Sequence, residues 1–293
     1  MEMETAHKMM DDRVDRRSGT RANSFDIDAG RQRCRRYRRK ILDLSQKVSA
    51  LHIAPAFSCT EIVDVIYNGL VRKEPDGSFY DIFLMSKGHG CVVQYIILEE
   101  YGVLAADDIE LYCKPGGRLG AHPDFGTPGI AASTGSLGHG LGIACGQAYA
   151  EKLKNTDVLT YCVLSDGEFQ EGSTWEAMMT AANLQLSNLI AFIDNNDFTG
   201  LERMSEGHKA FYPLTAKAEA FGWEVTELDG HDAQAIFDAV TSRRGGRPYL
   251  VVCRTTKGKG VSYMENVPIW HYRSPNPDEY QQAIREIEIE GQK

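Results

Sequence analysis

Five short, apolar, β-rich runs punctuate this chain, with helical patterns spaced between and around them. The runs are Ile82 to Met85, Val158 to Leu164, Leu189 to Ile193, Trp223 to Leu228 and Tyr249 to Cys253; the helix-like segments lie around 59–72, 89–101, 138–154, 173–186, 213–222 and 232–243. Strands this short and this apolar are of the buried kind, and intervening helices supply the cover. The order therefore predicts an α/β fold: a parallel sheet with helices on both faces. In open sheets of that kind ligands bind outside the carboxyl ends of the strands. The Gly-rich loops that follow the runs are the first place to look for chemistry.

A chain of 293 residues with 42% hydrophobic content can fill one large core. No repeat, low-complexity linker or boundary after residue 40 divides it, so the expected layout is a flexible extension over 1–26 and a single domain over 27–293. Seven cysteines, Cys34, Cys59, Cys91, Cys113, Cys145, Cys162 and Cys253, form no CxxC pair, which argues against a disulfide framework or a structural zinc. The first thirty residues lack the apolar core of a signal peptide, and no apolar run reaches membrane-spanning length. A soluble, cytoplasmic protein without a membrane partner is expected.

Charge is unevenly spread. Residues 1–40 hold 12 Lys and Arg against 7 Asp and Glu, while the remainder holds 20 against 34. The basic run Arg31 to Lys40 has the composition of a phosphate-binding patch, since clustered guanidinium groups displace counterions from nucleic acid. It leads directly into Ile41, Leu42 and Leu44 at helical spacing, however, as the solvated face of a helix does. The helix reading is preferred, and no nucleic-acid partner is expected.

The run Val158 to Leu164 feeds Ser165-Asp166-Gly167-Glu168-Phe169-Gln170-Glu171-Gly172, and Leu189 to Ile193 feeds Asp194-Asn195-Asn196-Asp197-Phe198. A strand, a crossover helix and a second parallel strand bring two strand ends side by side, so the Asp166 carboxylate and the Asn196 amide should converge. Mg²⁺ suits such a pair. It is a hard ion that takes oxygen ligands, commonly a few from protein and the rest from diphosphate and water, and a backbone carbonyl near Phe198 would add a third protein oxygen. Gly167, without a side chain, lets a diphosphate approach the backbone.

An Asp-Gly pair followed about thirty residues later by Asn resembles the thiamine-diphosphate motif, and its surroundings resemble transketolase. Ser86-Lys87-Gly88-His89-Gly90, Leu119-Gly120-Ala121-His122-Pro123, Ser133-Thr134-Gly135-Ser136-Leu137-Gly138-His139-Gly140, and Thr255-Thr256-Lys257-Gly258-Lys259-Gly260 with Trp270-His271 downstream follow in family order, over about residues 31–275. The resemblance implies that Asp166, Asn196 and the Phe198 carbonyl bind Mg²⁺, that His89, Gly167 and His271 surround the diphosphate, and that Gly135, Ser136 and Leu137 line the cofactor rings. It implies that His52 and His122 face the reacting carbon and the sugar hydroxyls, with His271 beside them as a third catalytic histidine. Glu171, also counted among the cofactor-binding residues, and Glu176 match acidic residues between active sites. His139 reads as a structural residue at a helix start, and His7, His208 and His231 receive no role.

What the resemblance implies for function is transfer of a two-carbon ketol unit from a ketose to an aldose, the substrates being sugars or sugar phosphates. The family supplies the glutamate that activates thiamine diphosphate from a second, pyrimidine-binding domain, which this sequence does not contain. A separately encoded pyrimidine-binding transketolase subunit is therefore the expected partner, in an α2β2 assembly. Two departures stand out: Leu51-His52-Ile53-Ala54-Pro55 replaces the usual Gly-His-Pro-Gly-Gly, and Ser165 replaces the first glycine of the metal motif. The Asn195-Asn196 pair is similar to α subunits of 2-oxo acid dehydrogenases, the alternative enzyme class; a catalytically inactive cofactor-binding scaffold is the non-enzyme alternative.

Overall fold

The five apolar runs become five parallel strands, β1 (Ile82–Met85), β2 (Thr160–Ser165), β3 (Leu189–Asn195), β4 (Glu224–Asp229) and β5 (Tyr249–Arg254), paired in the order β1-β2-β3-β5-β4. The structure, a computed structural model, describes residues 24–48, 51–200 and 202–289. The expected extension lies outside the described residues as far as residue 23. From there the chain is tied down, because Phe25 is buried against Gly30 and Gly69 and the Asp26 carboxylate caps the helix Ile27–Ser45 by accepting from Ala29 N.

Alternation along the strands builds two apolar layers. Phe83, Met85, Tyr161, Val163, Ile190, Phe192, Tyr249 and Val251 face a layer covered by helices Ile27–Ser45, Thr60–Val65, Val92–Glu100, Ala233–Thr241 and Pro277–Ile289. Leu84, Cys162, Leu164, Ala191, Ile193, Leu250 and Val252 face the other, covered by Gly140–Leu153, Gly172–Asn183 and Leu214–Ala220. Parallel strands need crossovers, and helices that bury one stripe each on these two layers provide them. The expected fold class holds.

The basic run lies in helix Ile27–Ser45, where its charges meet carboxylates of the same chain. Arg33 holds Asp64 bidentately at 2.7 and 2.9 Å, Arg38 holds Glu61, Lys40 holds Glu99, and Arg39 holds Asp43 and Glu288. Apart from Arg39–Asp43, which lies within the helix, these ion pairs dock other helices onto it. Among the described residues no helix is long and apolar enough to cross a membrane, and the seven cysteines are free thiols.

Candidate active site

β2 and β3 lie side by side with Ser165 opposite Asp194, and each chain leaves the sheet one or two residues later carrying a polar side chain. Asp166 begins a short 3-10 turn and is fully buried; its carboxylate accepts from Gly167 N at 2.8 Å and from Asp197 N at 2.6 Å. The second bond spans the two strand ends, so the expected convergence is realised. Asn196 Oδ1 accepts from Phe198 N at 3.0 Å, and its Nδ2 donates to Ser58 Oγ at 3.0 Å and to Asp194 Oδ2 at 3.3 Å. Ser165, at the position of the missing glycine, is extended (φ −96°), a conformation open to any residue.

Among the described residues no cationic side chain forms an ion pair with Asp166, and burial together with the nearby Asp194 carboxylate pushes its carboxyl up to about 7. A buried carboxylate in that condition is costly, and a hard cation beside it offsets the cost. The available donors are oxygens: a carboxylate, an amide and the carbonyl of buried Phe198. No three His, Cys, Asp or Glu side chains gather as a metal cluster among the described residues, so a cation here needs ligand oxygens as well. A side chain added at Gly167 would meet nothing nearer than Ser165 Oγ at 3.8 Å, which leaves room for a diphosphate against the backbone. The residues thus fit both groups.

Four imidazoles gather in front of this edge. The His52 ring lies 5.8 Å from His89, 5.6 Å from His122 and 5.4 Å from His271, and His89 lies 5.3 Å from His271. They come from loops far apart in sequence, and sheet topology alone unites them. Burial first, then neighbouring histidine and lysine charges, holds His52 down at about 4; burial first and then Lys257 holds His271 at about 3, and burial keeps His89 well below the usual range. All three are neutral at pH 7. The Lys257 ammonium donates to Nδ1 of His271 at 2.9 Å, so the proton of that ring sits on Nε2. Nδ1 of His52 is buried and has no hydrogen-bond partner among the described residues.

The loop around His52 departs from the family pattern and winds into a helix, Ile53–Ser58. Pro55 falls in its first turn, where a missing N–H costs nothing. The carbonyl of Ala54 accepts from Gly258 N at 3.1 Å and that of Pro55 accepts from Lys87 Nζ at 3.0 Å, which anchors the turn carrying His52. Gly135 (φ +138°) lies under His122, and an added Cβ would come within 2.8 Å of that ring. Pro123 O accepts from Thr134 N, which ties the two loops together. Ser136 is exposed and Leu137 half-buried at the rim.

Charged residues without a sequence-assigned role underlie the site. Lys87 and Asp194, both fully buried, form an ion pair, and Asp194 also accepts from Ser58 and Thr255. Buried Glu168 accepts from Ser86 Oγ, Gly138 N and Ser165 N, joining the ends of β1 and β2 to the start of helix Gly140–Leu153. Lys257, lowered to about 8 chiefly by burial and then by Lys87, also donates to Thr199 O at 2.8 Å. Of the other histidines, exposed His139 stands at the start of Gly140–Leu153, and His231 is a clamp: Nδ1 pairs with Glu61 at 2.9 Å while Nε2 accepts from Thr256 N at 2.9 Å. Glu171 and Glu176 lie exposed around helix Gly172–Asn183.

Comparison with known proteins places this geometry. The family model described as "Transketolase, thiamine diphosphate binding domain" matches residues 31–288. The chain is 36% identical over 273 residues to an apulose-4-phosphate transketolase subunit of Actinobacillus succinogenes, covering 91% of this chain and 99% of that one. It is 35% identical over 255 residues to the protein of the same name from Phocaeicola vulgatus, covering 85% and 90%. Transketolase from Campylobacter jejuni superposes with a TM-score of 0.82 at 26% identity, covering 90% of this chain and 43% of that longer one. The chain belongs to the transketolase family and carries its thiamine-diphosphate-binding domain.

Proposed function

We propose that this protein is the diphosphate-binding subunit of a cytoplasmic, two-chain transketolase that uses thiamine diphosphate and Mg²⁺ to transfer a two-carbon ketol unit from a ketose to an aldose. The observation that carries the reading is the gathering of His52, His89, His122 and His271 in front of the Asp166 and Asn196 strand ends. Asp166, Asn196 and the Phe198 carbonyl would hold the metal, with His89, Gly167 and the Lys257 ammonium around the diphosphate. Gly135, Ser136 and Leu137 would line the rings. Bound thiamine diphosphate supplies stabilisation for a carbanion that a sugar alone cannot support.

The chain's own part is to bind, orient and move protons. Neutral His52 is free to accept a hydrogen bond from a sugar hydroxyl, and a proton that passes to it is returned readily, because burial disfavours its charged form. His271 presents its Nε2 proton as a hydrogen-bond donor, fixed in that tautomer by Lys257. His122, braced by Gly135 beneath it, steadies oxygen that develops negative charge. Glu171 and Glu176, exposed around one helix, would lie at the contact between active sites of an α2β2 assembly.

Both bacterial relatives are named as one subunit of their transketolase, and this chain spans nearly their whole length but 43% of the Campylobacter jejuni transketolase. Those proportions support a partner that is a separately encoded pyrimidine-binding subunit, with sugars or sugar phosphates as substrates. The test is to assay the purified chain, alone and mixed with that partner, with thiamine diphosphate, Mg²⁺ and panels of ketose donors and aldose acceptors. Turnover is expected only from the mixture; robust turnover by the chain alone would overturn the two-chain reading.

A further inference from the structure

A fifth ring completes the circle around His52. Tyr272, directly after the turn Pro268–His271, has its ring centroid 4.4 Å from that of His271 and 5.7 Å from that of His52. It is nevertheless 59% exposed. On a third side it rests on Gly200, where any Cβ would come within 2.6 Å of the tyrosine hydroxyl oxygen. The ring is thus pinned by two imidazoles and a bare backbone, while much of its surface faces outward. Its hydroxyl has no hydrogen-bond partner among the described residues. Arg273, the cation next in sequence, is turned away: it donates to both oxygens of Glu279 at 2.7 Å and stacks on Trp270 at 4.4 Å.

We infer that Tyr272 is a specificity-determining residue, whose ring walls the outer side of the histidine pocket and whose hydroxyl reads a hydroxyl on the sugar donor. A phenol both donates and accepts, which suits a neutral polyol. Of the described cations near this wall, Arg273 is taken up by Glu279 and Lys257 by His271 and Thr199, so a neutral hydroxyl suits the wall better than a phosphate. The portion of substrate that passes Tyr272 is therefore an unphosphorylated, hydroxylated stretch of the carbon chain. A site that pairs a substrate hydroxyl rejects analogues lacking it, because its own polar group is then left unpaired.

This inference rests on the transketolase reading, and the test separates the two. Tyr272→Phe and Tyr272→Ala are assayed in the complex with the partner chain, using ketose donors that differ in the hydroxyl next to the transferred unit, alongside a separate thiamine diphosphate titration. Tyr272→Phe is expected to raise KM for the preferred donor about 5- to 10-fold, with the effect falling on KM more than on kcat. Tyr272→Ala is expected to lower the kcat/KM ratio between preferred and disfavoured donors about 10-fold, with cofactor affinity kept within about twofold. Unchanged KM and donor ranking in both variants, or losses that disappear on adding cofactor, would overturn the inference while leaving the transketolase reading intact. A wild-type complex that binds cofactor and turns over no ketose would sink both. Should Tyr272→Ala fail to fold, Tyr272→Phe, which keeps the ring, decides.

Discussion

Two carboxylates leave the same sheet edge on neighbouring strands, and their surroundings differ sharply. Asp194, at the end of β3, is satisfied from every side: the Lys87 ammonium, the Ser58 and Thr255 hydroxyls and the Asn196 amide all donate to it. Burial pushes the Lys87 ammonium down, but Asp194 and then Cys59 lift it above its usual value, so Lys87 stays charged. Asp166, just past the end of β2, receives two backbone N–H groups and, among the described residues, no side-chain cation, and its carboxyl rises to about 7. Identical chemistry, one strand apart, thus serves two ends. The paired carboxylate holds the edge together, and the unpaired one leaves a demand for positive charge that a cation can meet.

The largest effect expected from that contrast is on the paired side. Asp194→Ala strands the Lys87 ammonium in a fully buried position, and breaking a buried ion pair on one side costs about 3–5 kcal/mol. Urea unfolding should show this with or without ligands. Replacing both partners, Lys87→Met with Asp194→Leu, should recover most of the loss. A double variant as unstable as the single one would mean that the hydroxyl and amide contacts to Asp194, rather than the charge pair, hold the edge.

The unpaired side should behave in the opposite way. Asp166→Asn removes a buried charge that no described cationic side chain pairs with, which offsets the one backbone hydrogen bond its amide cannot accept, so the ligand-free protein is expected to lose little stability, about 1 kcal/mol or less. What should vanish is the stabilisation that thiamine diphosphate and Mg²⁺ give to the two-chain complex. Ligand at 100 times its Kd stabilises by about 2.7 kcal/mol, so melting curves with and without ligands separate the cases. If Asp166→Asn kept the full ligand-induced shift, the cation would have to sit elsewhere.

Much of this contrast is legible in the sequence. The strands emerge from their apolar runs to within one or two residues. The Asp166 to Asn196 spacing identifies the converging strand ends, and His89 and His122 stand beside small residues in loops, whereas His52, between Leu51 and Ile53, and His271, between Trp270 and Tyr272, stand out only through the family resemblance. The Lys87–Asp194 pair is hidden because a lysine just past a strand reads as a solvated end, and nothing local shows that a loop more than a hundred residues away closes over it. Tyr272 is hidden for a similar reason: its neighbours His52 and Gly200 are distant in sequence. Helix Pro277–Ile289 escapes because its contribution to the core is small: among described side chains Ala283, Ile284 and Ile287 are buried, with Tyr280 packed against them at the margin.

The smallest expected effect carries the contrast from carboxylates to imidazoles. His231 is held between Glu61 and a backbone N–H, whereas His52 is packed among His89, His122, His271 and Tyr272, with the Lys87 and Lys257 ammonium groups beyond, and has no carboxylate partner among the described residues. Its folded value of about 4 lies below the 6.5 of an unperturbed histidine, mainly through burial. Between those values the unfolded chain binds the extra proton and the folded chain does not. Stability from this site is therefore complete above pH 6.5 and drains away as the pH falls toward 4. Allowing for partial solvent access, the loss in the ligand-free protein between pH 7 and pH 5 should be about 1 kcal/mol for this residue. His52→Gln, which cannot take up the proton, should reduce the slope of the acid limb in a plot of urea midpoint against pH, leaving the part that His89 and His271 contribute. An acid limb of unchanged slope would place the proton-sensitive group elsewhere, and the neutral imidazole assigned to His52 would have to be abandoned.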